Sequence, residues 1–154
     1  MRVKLFPLAV LALVALGGCD VSVTDPDRGF LAFDTILRTQ NSTVSRAGVE
    51  IVTSPGEWER VWDEIGGAGS APSVNFLRDM VVIVAAGTQP DGCHHVRITD
   101  LEARRNRLIV EADLEVPGAG CVCTPVVVRP LHIVVADRWL EPVELDFDQV
   151  RLSC

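Results

Sequence analysis

From Met80 onward the apolar residues come in short runs rich in valine, isoleucine and leucine: Met80 to Ala86, His94 to Ala103, Leu108 to Val116, Val126 to Val135 and Pro142 to Phe147. Each closes on a polar or glycine- and proline-containing break, such as Gly87 to Gly92 or Arg104-Arg105-Asn106-Arg107. Runs of this length, rich in β-branched side chains and bounded by turn residues, read as strands. The second and third flank a polar break suited to a hairpin, with approximate period two in Val96, Ile98, Leu101 and Leu108, Val110, Ala112. The last two form a second expected pair around Asp137 to Glu141, although Pro125 and Pro130 demote part of the Val126 run to an edge or a bulge. Val49 to Thr53 adds a strand ahead of them.

One helix interrupts this pattern. Ser54-Pro55-Gly56-Glu57 offers a capping serine, a proline at the first helical position and a glutamate placed to complete a capping box. Trp58, Val61, Trp62 and Ile65 then repeat at i, i+3, i+4 and i+7, and Gly66-Gly67 supplies a left-handed stop. Both tryptophans are expected to be buried against a sheet. The expected fold is mainly β (α+β): an antiparallel sheet or sandwich with one packed amphipathic helix near residues 55–65.

The start of the chain is an address. Arg2 and Lys4 precede an apolar stretch from Leu5 to Leu16, and Gly17-Gly18-Cys19 follows. The apolar stretch is shorter than the roughly 18 residues of a spanning helix and has the layout of a secretory signal. Small residues directly before a cysteine resemble the lipobox of bacterial lipoproteins, in which Cys19 would be acylated with palmitate-type chains and begin the mature protein. The expected organisation is a signal peptide over 1–18, the lipidated cysteine and a flexible tether over 19–29, and a single domain over 30–154. The expected location is the bacterial cell envelope, membrane-anchored and facing the periplasm or the exterior; Asp20 leaves the choice of membrane open.

The whole chain carries a formal charge of -7. Cleavage before Cys19 removes two cations, Arg2 and Lys4, and no acid, so the mature value is -9. A chain this acidic, with its arginines scattered, has no stripe to neutralise phosphates, which argues against nucleic acid. Asn41-Ser42-Thr43 fits a glycosylation sequon but means nothing in a bacterial lipoprotein.

Assigning Cys19 to lipid leaves Cys93, Cys121, Cys123 and Cys154, an even set in an oxidising compartment, where disulfides are the default. If the Val126 and Pro142 strands pair about Arg138-Trp139, Cys123 falls opposite Cys154. The Arg104 to Arg107 turn likewise sets Cys93 near Pro117 and Cys121. The favoured pairing is therefore Cys93 with Cys121 and Cys123 with Cys154, with Cys121–Cys123 ranked last for strain. The alternative is a metal-binding or redox site built from Cys93, Cys121, Cys123 and a histidine. Against it, His94 and His95 point to opposite faces of a strand, and the Cys-x-Cys spacing is not that of a zinc knuckle. No metal and no cofactor is expected, and His132 reads as a strand residue.

No catalytic constellation is present in the sequence: there is no Gly-x-Ser-x-Gly elbow, phosphate loop or His-Glu-x-x-His pair. Cys93 and His94 do not form a nucleophile and base, because neighbours on a strand face apart. The expectation is no enzyme and no catalytic residue.

The order of features resembles the C-terminal domain of the PrcB family over roughly residues 45–147. The likeness rests on Glu57-Trp58 with Val61-Trp62, Pro72-Ser73-Val74-Asn75-Phe76, Asp79 to Val84, Gly87 to Gly92, and Pro117-Gly118-Ala119-Gly120-Cys121 with Thr124 and Pro130. Where the family's turn continues with a second glycine and an aromatic, this chain has Cys93 and His94. The resemblance implies a non-catalytic binding module, an accessory subunit that associates with an exported protease or another exported protein. Gly87, Thr88, Gln89, Pro90, Asp91 and Gly92 form the expected binding loop, joined by the Gly118 to Cys121 turn, since loops on a rigid scaffold carry binding. The expected state is a monomer held to the membrane by its anchor. A structural envelope lipoprotein without a dedicated partner is the alternative.

Overall fold

The uninterrupted run Met80 to Ala86 folds as a strand buried on both faces, and it sets the layering of the molecule. The computed structural model describes residues 28–154. The expected signal segment 1–18 and Cys19 lie outside the described residues. In chain order the elements are β1 (Arg28–Phe30), β2 (Phe33–Thr39), β3 (Ala47–Val52), α1 (Pro55–Glu64), β4 (Asp79–Ala86), β5 (His95–Arg104), β6 (Arg107–Pro117), β7 (Leu131–Asp137) and β8 (Val143–Leu152). β1 takes in Arg28 and Gly29, the last two residues of the range read as tether.

Two four-stranded sheets face each other, one ordered β1-β5-β6-β8 and the other β2-β7-β4-β3. Side chains alternate across a strand. Met80, Val82 and Val84 of β4 therefore enter the core between the sheets, with Val96, Ile98, Leu101, Leu108 and Val110. Val81, Ile83 and Ala85 point the other way, against Trp58, Val61, Trp62 and Ile65 of the helix layer. The antiparallel sandwich with one packed helix is thus as expected.

Helix α1 starts at Ser54 and Pro55, as expected, but without the capping box. The Ser54 hydroxyl makes no capping hydrogen bond, and Glu57 Oε2 accepts instead from the Thr53 N–H at 3.4 Å. The stop is as read: Gly66 adopts φ 80°, its N–H donates to Asp63 O at 3.2 Å, and the Gly67 N–H donates to Trp62 O at 2.9 Å. That pair of bonds is a Schellman motif. Trp58 and Trp62 are both buried and meet edge to face with centroids 5.3 Å apart.

The hairpin of β5 and β6 closes with Arg104 opposite Arg107. The second expected pair does not form. β7 is flanked by β2 and β4, so both its edges are occupied, and β8 crosses to the other sheet to run parallel to β6. There Val143, Leu145 and Phe147 close the core. A short connection can cross the roughly 10 Å between packed sheets as readily as it can turn a hairpin, and length alone does not distinguish the two. β7 also begins only at Leu131, after Pro130.

Candidate functional site

Parallel pairing of β6 with β8 brings the end of the chain to the Gly118 turn, where the Gly118 N–H donates to Leu152 O at 3.0 Å. A β-carbon at position 118 would collide with that same carbonyl, so glycine is required for the approach. Cys154 consequently lies beside Cys121, with Cα atoms 5.3 Å apart, and the two are bonded. Cys93 is bonded to Cys123 across 5.5 Å. All four expected cysteines form disulfides, but the favoured pairing of Cys93 with Cys121 and Cys123 with Cys154 is corrected. The Cys123–Cys154 half assumes an antiparallel β7–β8 hairpin, which the crossing of β8 removes; the β5–β6 hairpin behind the other half does form, but Cys121 is taken by Cys154, which leaves Cys93 to Cys123.

The loop Gly87 to Gly92 packs against the same segment. Gly87 has φ 69°, and a β-carbon there would sit 2.8 Å from Ala47 N, so the turn demands glycine on two grounds. Gln89 and Val128 exchange backbone hydrogen bonds of 2.8 and 3.0 Å, and the Gly92 N–H donates to Thr124 O at 3.0 Å. Asp91 organises the turn: its Oδ1 accepts from the Cys93 N–H at 3.0 Å and faces His94 Nδ1 at 2.9 Å. Since an ionised carboxylate can only accept, Nδ1 carries the proton. The Cys93 N–H, and after it His94, hold the Asp91 carboxyl below its ordinary range. His94 is buried in this arrangement.

Side chains from the opposite sheet fix the base of the loop. β1 pairs only with Glu102 to Arg104, which leaves the earlier part of that β5 edge without a strand partner. Gln40 Nε2 donates to Gly92 O and His94 O at 2.9 and 2.7 Å, and Arg38 Nε donates to Val96 O at 2.8 Å. The Ile98 N–H donates to His132 Nδ1 at 2.8 Å. Residues 92, 94, 96 and 98 alternate along one edge, and these three side chains satisfy them in turn. This polar seam is absent from the sequence reading, which does not recognise β2. Its one sequence signal is the alternation of Arg38 and Gln40.

The structure therefore gathers Gly87, Thr88, Gln89, Pro90, Asp91 and Gly92 with Cys93, Cys121, Cys123 and Cys154 at one end of the sandwich, the stapled end. Cys19 lies outside the described residues. On this end Val122 is 98 % exposed, with Val126 and Val127 also exposed. Asp91, Cys93 and Cys123 bring ligand-type atoms within 4.8 Å of one another. Their geometry does not suit a metal while the two sulfurs are bonded to each other, because thiolate is the ligating form. Cys121 is likewise bonded to Cys154, and Cys93 offers no nucleophile.

The fold and this end define a small disulfide-stapled β-sandwich that presents a rigid, partly apolar loop surface. Residues 80–137, from β4 through β7, match the family model for the PrcB C-terminal domain. The match takes in the Gly87 to Gly92 loop, Cys93, Cys121 and Cys123, supports the family resemblance and covers less of the chain than 45–147, leaving α1, β8 and Cys154 outside it. Comparison with curated proteins and with solved structures gives no match.

Proposed function

We propose that this protein is a non-catalytic, lipid-anchored envelope protein whose stapled end binds an exported protein, as an accessory subunit of a protease complex. The observation that carries the reading is Val122, almost fully exposed on a segment fixed by two disulfides and bonded to the Gly87 to Gly92 loop. An apolar side chain held outward on a rigid loop loses little conformational entropy on docking, which favours binding. The match to the family model supports the protease-complex context, and the lipobox-like Gly17-Gly18-Cys19 supports an anchor at Cys19 and an envelope location. The protein acts as a monomer, with no cofactor.

Affinity capture from crosslinked envelopes tests this. The wild-type chain is expected to retain an exported protease that Val122→Asp/Val127→Asp loses. Capture unchanged by the double substitution, or no protease with either chain, contradicts it.

A further inference from the structure

The two ends of the sandwich differ. β1 places Arg28 opposite Arg104, at the end away from the disulfides. The turn containing Arg105 and the β7–β8 link lie at that same end: the Leu108 N–H donates to Pro142 O at 2.9 Å, and the Arg138 N–H donates to Arg78 O at 2.7 Å. Three large apolar side chains are exposed there, Phe30 at 62 %, Leu77 at 91 % and Leu140 at 78 %. Asp34, Asp79 and Asp137 line a recess at this end together with Arg78, so its charge is mixed.

We infer that this end rests on the lipid bilayer and that the stapled end points away from it. The inference depends on the anchored reading of Cys19. Its geometric basis is the length of the connection. Nine residue steps separate Cys19 from Arg28, and fully extended they reach about 32 Å. β5 runs nine steps from Arg104, the partner of Arg28, back to His95, roughly 30 Å at the rise of a strand, with Cys93 in the turn beyond it. The connection therefore ties the anchor to this end, and the stapled end stands about a strand's length beyond it.

Charge disfavours the flat pose. Leu145 and Phe147 of β8 pack into the core, so Asp146 and Asp148 lie on the outer face of their sheet. In register, Asp100, Glu111 and Asp146 form one row across three strands, and the next row is Arg97, Asp113 and Asp148, in which Arg97 pairs with Asp113 and leaves the face acidic on balance. An anionic leaflet repels such a face. The occupant of the Phe30, Leu77 and Leu140 surface is therefore the bilayer directly beneath the anchor.

The test uses the full lipidated protein in nanodiscs of phosphatidylethanolamine and phosphatidylglycerol doped with a gadolinium-chelate lipid. Amide signals of Phe30, Leu77, Arg105 and Leu140 are expected to broaden, while those of Val122 and Cys154 persist. Leu77→Asp/Leu140→Asp, which keeps the anchor, is expected to lose much of that broadening. Uniform broadening, broadening of Val122 instead, or no change in the double variant overturns the inference while leaving the anchored reading intact. Mass analysis showing no acyl group on Cys19, with no nanodisc binding, overturns both.

Discussion

Across the sandwich, the backbone N–H of Ile98 donates to Nδ1 of His132 at 2.8 Å, which fixes the imidazole in its neutral form. With Nδ1 accepting, the proton sits on Nε2 and is shared with Thr35 Oγ1 at 3.0 Å. Burial, and then the charges of Arg38 and Arg97, push the His132 pKa down from 6.5 to about 4. Because the unfolded chain binds the proton more readily, the contribution of His132 is complete above pH 6.5 and is lost as pH falls toward 4. The loss amounts to about 3 kcal/mol. Urea melts at pH 7.5, 5.5 and 4.5 are expected to show this decline. His132→Phe should flatten it while costing about 1–3 kcal/mol at pH 7.5 for the unpaired Ile98 N–H.

The cystine pairs are separated by 30 and 33 residues, so each is expected to contribute roughly 3.5 kcal/mol by loop-closure entropy. Non-reducing peptide mapping should recover Cys93 with Cys123 and Cys121 with Cys154. Cys121→Ser/Cys154→Ser should free the end of β8 and lower the denaturation midpoint. A peptide joining Cys123 to Cys154 would contradict the parallel placement of β8.

Gly67 lies flat against the Trp62 indole, and a β-carbon there would collide with the ring. Gly67→Ala is therefore expected to cost about 1–3 kcal/mol by displacing a packed tryptophan. Thermal melts read the loss directly. Gly56→Ala, where a β-carbon meets open space, is the control and should leave stability equal or slightly raised.

Gln40 supplies both hydrogen bonds that hold Gly92 O and His94 O. Gln40→Ala should cost about 1–3 kcal/mol if those carbonyls stay dry. It should also raise hydrogen exchange at the amides of Gly92 and His94, with little change in β3 or α1. Unaltered exchange at the loop would mean that the seam does not set its rigidity.

Local patterns in the sequence carry the local structure. The β5–β6 hairpin is legible because its two strands adjoin and the polar break between them is short. The end of α1 is legible because Gly66-Gly67 follows a complete apolar face. Which sheet receives β8 depends on β2 and β4 already flanking β7, a fact of topology that no segment near residue 143 records. The cysteine partners inherit that choice: the four residues are identifiable from the cysteine count and the compartment expected from the start of the chain, their pairing only from the path of β8. Arg38, Gln40 and His132 form a seam because two sheets meet there, and beyond the alternation of Arg38 and Gln40 nothing local marks that role. The Gly87 to Gly92 turn was legible from its glycines, and its lacing to Thr124 and Val128 was not.

Photocrosslinking from Val122 tests the central claim most directly. With p-benzoyl-phenylalanine in place of Val122 in the full chain expressed in cells, the account predicts one discrete adduct with an exported protease. The same probe at Glu111, on the acidic outer face, should give none. Equal labelling from both positions, or no protease adduct from Val122, would contradict the assignment of the stapled end as the binding surface.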